Sequence, residues 1–324
     1  MKTASSVLAS DITFDQKHER VTVTFPEDAV SIQAGQNLRL GFRFESELEG
    51  SMMGYYKSTY ENAHGEKAYY GLTQFEPTAA RRAFPCFDEP DMKATFEVTL
   101  LSRKGLVALG NMPVEHVYPD VGEVALFPEE IEAQLEESHA RTPRSEKGPG
   151  ALLKGQAPAL PQKYGSREPS PFRGHAELAS DASEGDGWIA YQFETTPKVS
   201  TYLVAWANGD FRHLESSYTS PLSGRKVPLR IYTTPEHIHQ AGLALDVKCK
   251  VLPVYEKIFD IEFPLPKLDT LVASDFDAGA MENWGLITGR TIVYLFDEKN
   301  GSVDAKKLVA TVQSHEVAHQ WYVV

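Results

Sequence analysis

His315-Glu316-Val317-Ala318-His319 stands close to the end of this 324-residue chain and holds its most legible chemistry. On an α-helix, imidazoles four residues apart project from one face and can reach one metal ion, while the glutamate between them can touch a water beside that ion. The pentapeptide H-E-x-x-H therefore points to a zinc hydrolase, with His315 and His319 as metal ligands and Glu316 as general base. A pentapeptide also arises by accident on a surface helix. Weight comes from a second motif, Gly279-Ala280-Met281-Glu282-Asn283 followed by Trp284 and Gly285, which lies a short distance upstream of His315.

Elements must hold these residues together. Ser302 is a suitable N-cap and Asp304 suits the first turn, so a helix is expected from just after Ser302 through His319. Upstream, 227–232 reads as a strand and 235–259 has a helical distribution of apolar residues, while 267–276 and 286–295 read as strands flanking the second motif. Earlier the pattern is β. Val21, Val23 and Phe25 alternate with polar residues, as do Leu38, Leu40, Phe42 and Phe44, and then Phe96, Val98 and Leu100. Such period-two runs suit sheets with one buried face. The apolar run 201–206 reads as a more buried strand, and 123–126 and 188–193 as two further strands.

Between 128 and 187 the chain is rich in Pro, Ser, Gly, Glu and Arg without a sustained apolar period. That composition cannot bury enough apolar surface to offset its ordering entropy, so a disordered insertion is expected there. Over the whole chain 42% hydrophobic and 24% charged residues suit a soluble globular protein. A net charge of -13 argues against nucleic acid as a partner, because such binding draws on lysine and arginine. Cys86 and Cys249 are too few and too far apart for a disulfide framework, and small buried side chains are expected. The first residues lack a signal-peptide core and no stretch has the apolar length of a membrane segment, so a cytoplasmic location is expected.

The two motifs in this order, with T-Q-F-E-P-T-A-A-R-R-A-F-P-C-F-D-E-P at 73–90, resemble the gluzincin zinc aminopeptidases of the aminopeptidase N and puromycin-sensitive type. The resemblance runs from about 21 to 321, interrupted by the 128–187 segment. It implies a multidomain protein. An all-β, sandwich-like N-terminal domain would span 1–218, and 219–324 would be the beginning of a thermolysin-like α/β catalytic domain. It also implies one Zn2+ ion and peptides with an unblocked N-terminus as substrates. Glu282 and Glu76 would hold the α-ammonium, the backbone of Gly279 and Ala280 would align the peptide, and Met281 and Gln74 would line the pocket for the first side chain. Arg81, Arg82, Asp88 and Glu89 are assigned to ion pairs or surface. His237 and His239 have a poor spacing for joint ligation.

The chain departs from the family pattern after His319, where Trp321-Tyr322-Val323-Val324 stands in place of a Gly-Asn continuation. The family's third ligand, a glutamate on the next helix, and its downstream tyrosine have no counterpart within the sequence. The expectation is weak zinc retention, little peptidase activity for the chain as given, and Leu308, Val309 and Val312 short of packing partners. A non-catalytic binding or regulatory fragment is the alternative from a different class. A thermolysin-type endopeptidase is disfavoured, since Glu76 and Glu282 point to recognition of a chain terminus. Limited proteolysis is expected to cut first within 128–187; strong hydrogen-exchange protection across that segment would contradict its composition.

Overall fold

Asn62 closes the hairpin that leads into the candidate site. Its carboxamide oxygen accepts N–H bonds from His64 at 2.9 Å and Glu66 at 3.0 Å, and Gly65 takes the positive φ that the turn requires. Strand β3 (Gly54–Glu61) thereby folds back on β4 (Lys67–Gln74) in full antiparallel register. The computed structural model describes residues 7–27, 35–48, 51–121 and 187–322. The strand expected at 123–126, and all but the last residue of the insertion expected at 128–187, lie outside them.

The chain forms two compact units, 1–47 and 48–324. In the first, β1 (Asp11–Asp15) pairs antiparallel with β2 (Arg20–Thr24). The alternation at 21–25 is thus a strand in part, while 38–44 contains no strand and exposes Leu38, Leu40, Phe42 and Phe44. Period-two hydropathy creates a strand only where a neighbour pairs with it and covers its apolar face.

In the second unit β3 and β4 join β6 (Val107–Gly110) and β9 (Trp206–Gly209) in the order β3-β4-β9-β6. A three-stranded antiparallel sheet holds β5 (Thr99–Arg103), β8 (Trp188–Phe193) and β7 (Val114–Val121) in the order β5-β8-β7. Both sheets supply side chains to one core, among them Tyr56 and Leu72 from the first and Tyr191 and Phe193 from the second. This is a mostly β N-terminal region. Of the run expected as a strand at 201–206, 201–203 is a 3-10 turn and only Trp206 begins a strand. Its burial is as expected, with Leu203, Val204 and Ala205 almost wholly covered. Likewise 96–98 is extended without strand pairing, and β5 starts at Thr99.

The remainder is built on a mixed five-stranded sheet, β10 (Arg212–Thr219), β11 (Lys226–Thr233), β12 (Leu268–Ala273), β14 (Leu286–Arg290) and β13 (Ala280–Met281), in that spatial order. Between β11 and β12 the chain passes through a 3-10 stretch, Pro235–Gln240, and helix α1 (Gly242–Phe259), which makes the two strands parallel. Strand β12 is buried along its whole length, as a central strand covered on both faces must be. Tyr218, where the sequence places a domain boundary, lies inside β10, so this sheet continues across it. The strand expected over 286–295 stops at Arg290 and turns into a short helix, α2 (Thr291–Tyr294).

Helix α3 (Val303–Tyr322) starts where its cap predicts, with Ser302 Oγ accepting the Ala305 N–H at 3.1 Å. Of its apolar residues, Val309 is fully buried and Val312 packs on the core, so only Leu308 among the three expected to lack partners is exposed. Among the described residues no helix is long and apolar enough to cross a membrane. Cys86 and Cys249 are unpaired thiols, half-buried rather than buried.

Helix α1 is pinned to the sheet by Glu256, which is fully buried. Its carboxyl oxygens accept from Tyr218 Oη at 2.8 Å, Ser220 Oγ at 2.6 Å and the Phe263 N–H at 2.9 Å. Replacing it by alanine leaves three buried donors without partners. Glu256→Ala is expected to cost about 3 kcal/mol or more in urea unfolding; a loss below about 1 kcal/mol would show that the cluster is not what holds α1 to β10.

Candidate active site

Helix α3 brings the two imidazoles together. His315 Nε2 and His319 Nε2 are 3.0 Å apart, with ring centroids 4.5 Å apart and planes at 82°. Zinc–nitrogen bonds of about 2.0 to 2.1 Å at near-tetrahedral angles place two ligating nitrogens about 3.3 Å apart, so this pair fits one ion. Among the described residues no group of three or more His, Cys, Asp and Glu could hold a metal ion. The donor set present is therefore two imidazoles. His237 and His239 sit in the 3-10 stretch before α1, away from any such group.

Glu316 is the next residue along helix α3 after His315. It is buried, and its Oε2 finds no hydrogen-bond partner among the described residues. Burial, with smaller contributions from the charges of Glu282 and Glu76, pushes its carboxyl up to about 8. Those contributions also locate the other two acids. Glu282 follows directly on β13, and Glu76 follows Phe75, just past the end of β4. Burial, with Glu282 second, raises Glu76 above the usual carboxyl range. Acids from three separate segments thus feel one another, and perturbed carboxyls of this kind mark a candidate functional site.

Glu282 is held from below. Gln320, one residue past His319, donates from Nε2 to Glu282 O at 3.2 Å and accepts the Gly285 N–H on Oε1 at 3.1 Å. Its own carbonyl accepts from Trp284 Nε1 at 3.1 Å. The histidine-bearing helix and the segment carrying Glu282 are therefore one hydrogen-bonded assembly. Strand β13 is the edge of its sheet, paired on one side with β14 through Ala280 opposite Gly289 and Met281 opposite Thr288. Among the described residues its other side carries no strand.

Residues 2–127 match the family model of the peptidase M1 N-terminal domain and residues 243–322 that of the peptidase family M1 domain. The chain is 33% identical over 317 residues to aminopeptidase 2, mitochondrial, of Saccharomyces cerevisiae, covering 98% of this chain and 26% of that protein. It is 33% identical over 312 residues to the puromycin-sensitive aminopeptidase of Caenorhabditis elegans, covering 96% and 25%, and 36% identical over 305 residues to human endoplasmic reticulum aminopeptidase 2, covering 94% and 24%. The chain belongs to the M1 peptidase family. It spans about a quarter of the length of these relatives.

In this M1 chain the other expected site residues divide by burial. Gln74 is buried with Oε1 unpartnered, Gly279 is exposed and Ala280 half-buried, whereas Met281 has no exposed surface and belongs to the hydrophobic core. Arg81 and Asp88 form the expected structural ion pair, at 3.0 Å. Three residues were not singled out in the sequence. One is Gln320. Another is Tyr202, whose phenol is raised by burial and then by the charges of Glu282 and Glu76. The third is Tyr294, fully buried with an unpartnered hydroxyl, raised by burial and then by Glu316. Gln320 lies within the motif's own helical face, a signal a wider window would have caught; the two tyrosines reach the site only through tertiary folding.

The raised carboxyl of Glu76 fixes a pH dependence. A carboxyl raised in the folded state contributes fully below its unfolded pKa, and that contribution is lost as pH rises through the folded value. Removing the neighbouring charge relieves the loss. Glu282→Gln is expected to lower the NMR-titrated midpoint of Glu76, and to melt above the native protein near about pH 7 but level with it near about pH 4. An unchanged Glu76 midpoint would separate the two acids in space.

Proposed function

We propose that the chain encodes the amine-recognition and proton-transfer part of a zinc-dependent aminopeptidase, which removes single residues from peptides with an unblocked N-terminus. The observation that supports this reading is that the charges of Glu282 and Glu76 act on Glu316, which shares helix α3 with two imidazole nitrogens 3.0 Å apart. Two of the acids, Glu76 and Glu282, receive the α-ammonium. An acetylated N-terminus offers them neither charge nor three donors, and is rejected. This is what distinguishes an exopeptidase from an endopeptidase in the same cleft.

The open side of β13 supports the rest. Gly279 and Ala280 leave room for a peptide backbone to lie along that edge, which orients the scissile carbonyl relative to Glu316. Gln74, whose buried Oε1 has no partner among the described residues, and Met281, wholly within the core, would back the pocket for the first side chain. Glu316, raised by burial and the two other acids, is a stronger base than an exposed carboxylate once deprotonated; it takes the proton of the attacking water and returns it to the leaving amine. His315 and His319 would hold the zinc, which when bound supplies Lewis-acid polarisation of the carbonyl and water.

Two imidazoles are one short of the three protein ligands that a catalytic zinc takes. The polypeptide of 324 residues is therefore expected to bind zinc weakly and to release fluorogenic amine from unblocked aminoacyl substrates slowly even with excess zinc. Any turnover should vanish in Glu316→Gln and be absent on N-acetylated substrates. Rapid hydrolysis of acetylated peptides would replace this reading with an endopeptidase. Isothermal titration of zinc into His319→Ala against the native chain tests ligation separately; identical weak binding would remove the imidazole pair from the metal site.

A further inference from the structure

Asn111 stands between the two segments that face the amine pocket, and nothing of its side chain reaches solvent-exposed groups. It is buried, and every polar atom of its carboxamide is used. Nδ2 donates to Leu203 O at 2.9 Å and to Trp284 O at 2.9 Å, while Oδ1 accepts the Ala205 N–H at 2.7 Å. Leu203 is the residue after Tyr202, in the 3-10 turn Thr201–Leu203. Trp284 is two residues after Glu282. One amide group thus binds both backbones, and neither segment lies on the same strand, helix or sheet as the other.

The joint is reinforced beside it. Lys267 Nζ, buried with its partner Asp269 at 3.0 Å, donates to Gly110 O at 2.7 Å and to Gly285 O at 2.8 Å, so the residues adjacent to Asn111 and Trp284 are tied as well. Gly285 has φ +84, and a Cβ there would collide with the carbonyl oxygen of Asn111. The backbones are in direct contact. The turn carrying Tyr202 is fixed on its far side by Ser200 Oγ to Pro90 O at 2.6 Å and Thr201 Oγ1 to Phe87 O at 3.0 Å. The Asn111 hydrogen bonds thus tie the backbone next to Tyr202 to the backbone two residues past Glu282.

We propose that Asn111 is a positioning residue for the amine pocket: its carboxamide sets the separation between the phenol of Tyr202 and the carboxyl of Glu282, making Tyr202 the third wall of that pocket. The proposal rests on the reading of Glu282 as an ammonium acceptor. A carboxyl can hold an ammonium with selectivity only if its neighbours do not drift, and a drift of about 1 Å can cost on the order of a hundredfold in function. A buried carboxamide with both donors and its acceptor engaged is a stiff spacer at this point.

The test uses the 324-residue protein with 3-fluorotyrosine incorporated, the Tyr202 resonance being assigned by its loss in Tyr202→Phe. In the native background Glu282→Gln is expected to move that fluorine resonance, and in the Asn111→Ala background the same substitution should move it much less. Equal displacements in the two backgrounds, or none in the native one, would overturn the inference. Thermal melts confirm that each variant is folded. Asn111→Asp keeps the acceptor for Ala205 while replacing the donor that spans Leu203 and Trp284, and serves in the same comparison where the alanine variant does not fold. Binding of leucine amide and N-acetyl-leucine amide is measured alongside. Asn111→Ala should weaken the former by about tenfold and leave the latter unchanged. A native protein that does not discriminate the two ligands refutes the amine-binding reading, while the fluorine comparison still judges the spacer.

Discussion

The side chain of Gln320 spans the gap between a helix and a sheet edge that have no other reason to keep a fixed register, and the candidate site depends on that span. Its amide nitrogen and oxygen grip Glu282 and Gly285, and its carbonyl takes the indole N–H of Trp284. Without this grip, helix α3 would still form from its cap and its own hydrogen bonds, and β13 would still pair with β14. Their relative placement would be set only by apolar contact, which is non-directional. A buried amide converts that loose contact into a specific one. Because Glu316 also gives its backbone carbonyl to Gln320 Nε2, at 3.4 Å, Glu316 and Glu282 are tied to the same group.

The electrostatics gain meaning from that geometry. Glu316 is covered and leaves one oxygen unpartnered, and Glu76 and Glu282 add like charge nearby. Such a cluster opposes folding, and the structure tolerates it because the opposition is local and the surrounding core is large. Lys267, Asp269 and Arg230 show the contrasting solution a short distance away, where buried charges are paired with opposite sign at 3.0 and 3.5 Å. One cluster is internally neutralised and serves the scaffold. In the other, burial and like charge raise the carboxyls of Glu76 and Glu316.

Much of the site was legible in the sequence because short motifs on regular elements carry their own geometry. The i, i+4 histidines, the Ser302 cap and the strand-helix-strand succession around 226–273 all follow from local periodicity, and each stands where it was expected. The failures also share a cause. Alternation at 38–44 without a pairing partner gave no strand, the apolar run at 201–206 is buried as a turn, and 286–295 bends into α2 after Arg290. In each case hydrophobicity foretold covering or contact potential, while the conformation was decided by what the rest of the fold offered. Tyr202 and Asn111 could not be found by pattern at all, since a lone tyrosine and a lone asparagine acquire meaning only from residues far away in the chain, ninety or more for Asn111.

Strand β13 is only two residues long, and it closes one end of a five-stranded sheet. A long bare edge is a template on which any extended chain can grow, and proteins shorten such edges to avoid uncontrolled self-association. Two residues are too few for another sheet to seed upon, yet enough to register one visiting backbone. A visitor bound this way gains main-chain bonds from its first few residues and almost nothing from those beyond. Affinity would then be nearly blind to the length and sequence of the remaining tail, so the brevity of a single strand makes the edge both safe against aggregation and indiscriminate toward everything past its first contacts.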